Sequence, residues 1–455
     1  MNTAFHILLA VIFWWCGFKL KLIRSSASDV HLLITLVACM HLVSMAEAYR
    51  SFGLDSDLFY STMAILCYIG LLGGFWVVNI LVPRPGRDDV QRNALVAMGG
   101  VQTVIIVFLL ATMVANYVKY WQKIGTLNPL AGLENYFTSG NITAEMWDTD
   151  GARMFGADRG AGNLQTSGGF AGRLLDWLSS RLAPVAFLLI GLLEKRRRFP
   201  FLLGYIGSSM LESTAGYFAR TTVLMNFGII ALYYNDQIRQ FSKKVILLSA
   251  AGALLLFLVL HLARLGQVDS IESLVGDESS GQLMQAATDT FEPLAFGMIY
   301  YERLGANSIE ENVEHFSAFV GSMVPRFVWP SKPYYAFEPD VTMKLFNEDI
   351  SASNVVRTYA ITGEGLIVGG LPGVLLMSFL YAVTVGVACR MLERRDELCV
   401  FRYFLTIMSA YFFRLSLSTY YSNLIALGII PVVIVYLLLR PTMIPRGREL
   451  AGARR

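Results

Sequence analysis

The chain has 455 residues, of which 55% are hydrophobic and only 16% charged, and its mean hydropathy is +0.51; soluble domains average roughly 45–50% apolar and about 25% charged residues. A net charge of +3 on so apolar a chain excludes a nucleic-acid-binding module. Five cysteines (Cys16, Cys39, Cys67, Cys389, Cys399), all within apolar runs or at their ends, exclude a disulfide framework for an exterior domain.

What remains is an all-α polytopic membrane protein. Crossing the hydrocarbon takes about 20 apolar residues, and about eleven such runs are predicted. Four lie near residues 3–19, 30–48, 58–82 and 94–118, within a first unit of residues 1–119. The first run lacks a basic n-region and a small-residue cleavage site, so it is expected to be a retained span. Residues 120–176 are rich in glycine (Gly151, Gly156, Gly160, Gly162, Gly168) and are predicted to form an irregular loop.

Residues 177–263 carry the next four runs, near 177–193, 199–216, 221–235 and 245–263. The stretch 199–235 is predicted as two helices, because a single one would be roughly 50 Å long against a core of about 30 Å. It would also bury Glu212 and Arg220 near mid-membrane. Residues 264–361 are predicted to form a folded cap. Within it, Leu283, Met284, Ala287, Phe291 and Leu294 recur at helical spacing, and a second helix is expected from Ser308 to Val324. The last spans, near 362–389, 399–414 and 422–439, occupy residues 362–440, and 441–455 form a basic tail.

Short cytoplasmic loops accumulate Lys and Arg. Here the clusters fall in alternate loops, such as Arg84, Arg87 and Arg92, Lys195 to Arg198, and Arg390, Arg394 and Arg395. These belong inside, which places the N-terminus outside, the C-terminus inside, and both the glycine-rich loop and the cap outside.

Residues 325–333 of the cap read PRFVWPSKP. The prolines fix φ and bias the preceding residues toward extended geometry, so Arg326 and Lys332 stand on a stiff, aromatic, non-helical scaffold. Arg220, Arg264 and Arg414 lie at outer span ends. Charges there need a partner or a function; Arg220 could pair with Glu212, or each could snorkel to the interface. Four guanidinium forks on one face also suit a pyrophosphate, which they bind bidentately. Two D-x-D pairs, Asp55 with Asp57 and Asp148 with Asp150, offer a metal-binding alternative.

The PRFVWPSKP stretch, followed by Gly363-Glu364-Gly365-Leu366-Ile367-Val368-Gly369-Gly370-Leu371-Pro372-Gly373 at the start of a span, resembles Wzy-type O-antigen or exopolysaccharide repeat-unit polymerases. Those proteins often show an iPR..wp.KP stretch before a G.xGE....G..G span opening. Arg220 in YFARTT and Arg414 in YFFRLS are similar to arginines of that family, although Leu415 and Ser416 follow Arg414 where an Arg-Gly-Asp turn is common. The motifs cover the C-terminal half; residues 1–190 agree in hydropathy alone. O-antigen ligases share the bundle, the long loop and the arginines, whereas the PR..WPSKP and GEG pair favours a polymerase.

The resemblance implies a GT-C-like bundle in a bacterial inner membrane with a long helical periplasmic loop. It implies a metal-independent glycosyltransferase without cofactors that polymerises undecaprenyl-pyrophosphate-linked oligosaccharide repeats and releases undecaprenyl pyrophosphate. Arg220, Arg264, Arg326 and Arg414, with Lys332 and Arg357, would bind the pyrophosphate, and Trp329, Tyr334 and Tyr335 would stack on sugar rings. Glu364 and His315 are the candidate bases. Each has a plainer role open to it: Glu364 as a carboxylate in the first helical turn, and His315 as a surface histidine paired with Glu310, Glu311 or Glu314. Membrane lipids, a chain-length regulator of the polysaccharide co-polymerase type and a flippase are the implied partners. A ligase, or a non-enzymatic lipid-linked glycan flippase, stays open as the alternative function.

Overall fold

A computed structural model of the chain describes residues 3–24, 29–51, 57–83, 93–95, 198–215, 220–238, 293–322, 359–393, 398–412 and 443–445, with single positions between them. Among these residues the fold is helical apart from one short ladder. The helices are α1 (Thr3–Lys19), α2 (Val30–Ser51), α3 (Asp57–Leu81), α4 (Arg198–Ala215), α5 (Arg220–Gln237), α6 (Pro293–Leu304), α7 (Ile309–Ser322), α8 (Ala360–Leu392) and α9 (Cys399–Phe412). Seven of them coincide with predicted spans to within a few residues, and α7 coincides with the second predicted cap helix. The predicted spans 94–118, 177–193, 245–263 and 422–439, the glycine-rich loop, and residues 283–291 of the first cap helix lie outside the described residues or are described only at single positions.

The ladder pairs β1 (Asn93–Leu95) antiparallel with β2 (Met443–Pro445), matching Asn93 with Pro445 and Leu95 with Met443. Residues 94 and 95 are therefore extended, where the apolar pattern predicted the first turn of a span. Pro445 ends its strand, and each strand of a two-stranded ladder is an edge strand, where proline is tolerated.

Among the described residues two helices are long and apolar enough to cross a membrane, Leu58–Leu81 and Ala360–Leu392; Ala4–Lys19, Val30–Val43 and Cys399–Ser409 are apolar but shorter. The two long helices also form the main packing pair. Gly70 and Gly74 of α3, four residues apart, lie on one face and meet a matching small pair, Ser378 and Ala382, on α8. A Cβ on Gly70 would stand 2.6 Å from the Leu375 carbonyl oxygen, and one on Gly74 would stand 2.8 Å from that of Phe379. This is small-xxx-small packing, in which backbones approach because no side chains separate them. Contacts advance together along both helices, so α3 and this part of α8 run parallel. Around the seam lie the buried side chains of Met63, Leu71, Phe75, Val374, Tyr381 and Val385.

Residues 198–237 fold as two helices. The Tyr205 hydroxyl donates to Asn226 Oδ1 at 2.8 Å; in one continuous helix these residues would be about 31 Å apart. The α4–α5 pair shares a second core with α9, built from Leu202, Tyr205, Ile229, Tyr233 and Tyr403.

Charged and polar ties fix the helix ends remote from the cap helices. Arg390 donates to Asn79 Oδ1 at 2.7 Å, and Arg402 pairs with Asp236 at 2.6 Å while lying over the Tyr403 ring. In apolar surroundings such groups persist because each cation has an acceptor.

Replacing Gly74 by Val is expected to cost about 1–3 kcal/mol through overpacking, read as a lower thermal unfolding midpoint of the detergent-solubilised protein. Gly73→Ala, whose added carbon would meet only the Phe379 ring at 3.5 Å, is expected to leave that midpoint unchanged or raised.

Candidate functional site

The predicted span at 362–389 does not form a single straight helix. Gly369 (φ −152°, ψ 19°) and Gly370 (φ +62°, ψ −150°) interrupt α8 and divide it into a first arm, residues 360–368, and a second, residues 371–392. Gly370 lies in a backbone region that is essentially restricted to glycine. Pro372 follows in the first turn of the second arm, where a missing N–H breaks no helical bond. At 1.5 Å per residue the second arm alone is about 33 Å long, enough to cross the hydrocarbon.

The arms fold toward each other. A straight helix would hold residues 365 and 373 about 12 Å apart, yet a Cβ on Gly365 would stand 2.8 Å from the Gly373 carbonyl oxygen, and one on Gly373 would collide with that of Gly365. The GEG…GG.PG run thus has a physical role at each glycine. Gly363 admits the backbone of α6 at Gly297, Gly365 and Gly373 admit each other, and Gly369 with Gly370 makes the bend.

A break frees the carbonyls that end the first arm. Two groups, one from the α6–α7 connection and one from α7, satisfy them. The Asn307 backbone N–H donates to Ile367 O at 2.7 Å, and Asn312 Nδ2 donates to Val368 O at 2.8 Å. Tyr301 of α6 lies beside Gly370 and stacks on Phe59 near the start of α3, with ring centroids 5.5 Å apart. The α6–α7 corner therefore sits level with the bend and with the first turn of α3.

α7 starts on a reciprocal cap. The Ser308 N–H donates to Glu311 Oε2 at 2.8 Å and the Glu311 N–H donates to Ser308 Oγ at 3.3 Å, the S-x-x-E arrangement that satisfies two orphan donors. The backbone bond from Ser308, then its side chain, then Lys344 at 3.3 Å hold the Glu311 carboxyl below its ordinary value of 4.5.

One and two turns further along α7, Asn312 and His315 face the first arm. His315 Nε2 lies 2.9 Å from Glu364 Oε1, and both residues are buried, at 7% and 2% exposure. Their two ties run in opposite order, Asn312 with Val368 and His315 with Glu364. Both plainer roles are corrected by this geometry. His315 is not a surface residue paired with Glu310, Glu311 or Glu314, because it points into the core and its carboxylate is Glu364. Glu364 is not a first-turn cap, because the helix begins at Ala360 with no side-chain cap from Tyr359, and Glu364 stands beyond its first turn. A hydrogen bond at this distance joins an imidazole nitrogen to a carboxylate oxygen with both side chains buried from bulk water.

Of the residues singled out from the sequence, Glu364 and His315 are thus brought together across 49 positions. Arg220 is the first residue of α5, and its side chain is outside the described residues. Arg264, Arg326, Lys332, Trp329, Tyr334, Tyr335, Arg357 and Arg414 lie outside them as well, as do Asp55, Asp148, Asp150 and the Asp57 side chain. Among the described residues no group of three or more His, Cys, Asp or Glu side chains is placed to hold a metal ion. The structure adds Asn307, Asn312 and Tyr301 to the site. Asn312 precedes His315 by three residues, on the same helical face, which is the signal that pairs them.

Comparison with protein-family models, curated proteins and solved structures finds no match for this chain.

Because the Glu311 carboxyl is held below its unfolded value, its contribution to stability is full above the unfolded value and is lost as pH falls through the folded one. The difference in thermal midpoint between wild type and Glu311→Gln is expected near neutral pH and should close as pH drops below 4.5. Melting curves across that range check it.

Proposed function

We propose that this chain is a Wzy-type glycosyltransferase of the bacterial inner membrane. It has about eleven spans, a periplasmic N-terminus and a cytoplasmic C-terminus, and it joins undecaprenyl-pyrophosphate-linked oligosaccharide repeats at the periplasmic face. The observation that carries this reading is the buried Glu364–His315 hydrogen bond on a broken apolar helix. Buried titratable groups beside a helix break in an apolar bundle are costly, and they are the expected signature of a functional site.

In the reaction a sugar hydroxyl of the incoming repeat attacks the anomeric carbon of the growing chain. The new glycosidic C–O bond forms as the anomeric C–O bond to pyrophosphate breaks, and undecaprenyl pyrophosphate leaves with the electron pair. His315 takes the hydroxyl proton. Glu364 positions the imidazole and stabilises the imidazolium that results, as the carboxylate of a catalytic triad does. Arg220, Arg264, Arg326 and Arg414, with Lys332 and Arg357, compensate the charge on the leaving pyrophosphate, while Trp329, Tyr334 and Tyr335 hold sugar rings. Water exclusion around the buried pair strengthens the contact between imidazole and carboxylate.

The test is a gene deletion complemented by variants, with surface and lipid-linked glycans resolved by gel. His315→Ala and Glu364→Gln are expected to cut chain extension by about 10²–10⁴-fold, leaving single repeats exported without a ladder, and Arg326→Ala should reproduce the defect. Added imidazole should restore extension to His315→Ala and not to Glu364→Gln, a rescue that a purely structural role would not produce. Repeats trapped inside the cell would show a flippase, and long chains left on the carrier a ligase; either outcome overturns the polymerase reading.

A further inference from the structure

α7 presents three distinct faces. Successive residues rotate by about 100° around a helix, so Ile309, Val313 and Phe316 fall within an arc of about 60°. All three are exposed, at 85%, 64% and 63%. Asn312 and His315 flank this stripe on one side and tie the helix to the first arm of α8. Glu310 and Glu314 flank it on the other side and are exposed. A solvated helix would not align three large apolar side chains between a docked face and an acidic one.

The level of this stripe follows from its neighbours. α3 carries exposed Leu58, Ile65, Ile69, Trp76 and Ile80, whose alternating spacings of seven and four return to one side of a helix. Over that stretch the apolar band is about 33 Å tall, close to the roughly 30 Å of a bilayer core. Phe59, next to the first residue of the band, stacks on Tyr301 of α6. α7 begins only a few residues beyond Tyr301 and is tied to the bend of α8. The stripe therefore stands at the edge of the apolar band, where acyl chains give way to headgroups.

We propose that α7 is an interfacial helix whose Ile309–Val313–Phe316 stripe is embedded in the lipid leaflet. This rests on the membrane reading given above. A helix with an apolar face at that depth and a charged face turned to water is the arrangement that binds bilayer surfaces. The lipid contact holds α7, and with it His315, against the broken helix.

The full-length protein, reconstituted in phosphatidylcholine vesicles, tests this by photocrosslinking. p-Benzoylphenylalanine is placed in turn at Ile69, Val313, Phe316 and Glu314, and adducts are read by mass spectrometry. Phospholipid adducts at Val313 and Phe316 are expected at yields comparable to Ile69 and about tenfold or more above Glu314. Lipid adducts at Ile69, with protein adducts or none at both Val313 and Phe316, overturn the proposal while sparing the membrane reading. Equal lipid yield at Glu314 overturns it too, since the helix would then have no lipid-facing side. Absence of lipid adducts at Ile69 removes the membrane reading and the proposal together.

Discussion

Every backbone carbonyl withdrawn from water must find a donor, and the break in α8 is organised around that requirement. Bending an apolar helix at Gly369–Gly370 leaves the last carbonyls of the first arm without their intrahelical partners. An unsatisfied buried carbonyl costs about 1–3 kcal/mol. The Asn307 N–H and the Asn312 amide remove that cost at Ile367 and Val368, so the bend and the α6–α7 corner stabilise each other. His315 follows Asn312 by one turn, and the docking that satisfies Val368 also delivers the imidazole to Glu364. Backbone bookkeeping and the buried pair are one construction.

That construction stands on a rigid rail. The second arm of α8 packs along α3 with Gly70 and Gly74 against Ser378 and Ala382, leaving almost no freedom to slide or rotate. Arg390 with Asn79 at the far end of the same two helices fixes their register. The first arm, pressed against the second through Gly365 and Gly373, inherits the rail's position. Arg402 with Asp236 ties α9 to α5 in the same manner. Placement of a side chain to within a fraction of an ångström is what the proposed proton transfer requires, and close packing of small residues supplies it more firmly than a loop could.

How much of this was legible in the sequence varied with the range of the signal. Apolar runs located α1, α2, α3, α4, α5 and α9 because span length is set by bilayer thickness, a constraint each run meets alone. Helix α7 is predicted from Ser308 to Val324, and the structure adds the cap between Ser308 and Glu311 that fixes its start. The break in α8 escaped hydropathy, since residues 360–392 are apolar on both sides of the bend and a window average passes over it. Its signal is local chemistry, two adjacent glycines followed by Pro372, which the apolar pattern reads as a span opening. The partnership of His315 with Glu364 had no signal of that kind. Both residues stood out as candidate bases, yet three nearer carboxylates, Glu310, Glu311 and Glu314, competed for the imidazole on sequence grounds. Helix phase decides among them. Glu310 and Glu314 project to the far side of α7, Glu311 is engaged by Ser308 and Lys344, and only tertiary packing brings Glu364 within reach.

The central claim is that Glu364 and His315 act as one unit on a transferred proton. A double-mutant cycle on purified, reconstituted protein tests this most directly, with the initial rate of glycosidic bond formation measured from a lipid-linked repeat. Residues that work together lose their joint contribution once, so the Glu364→Gln/His315→Ala double variant should be no slower, within about threefold, than the slower single variant. Losses that multiply, with the double variant slower by the product of the two single effects, would show two independent roles and contradict the account.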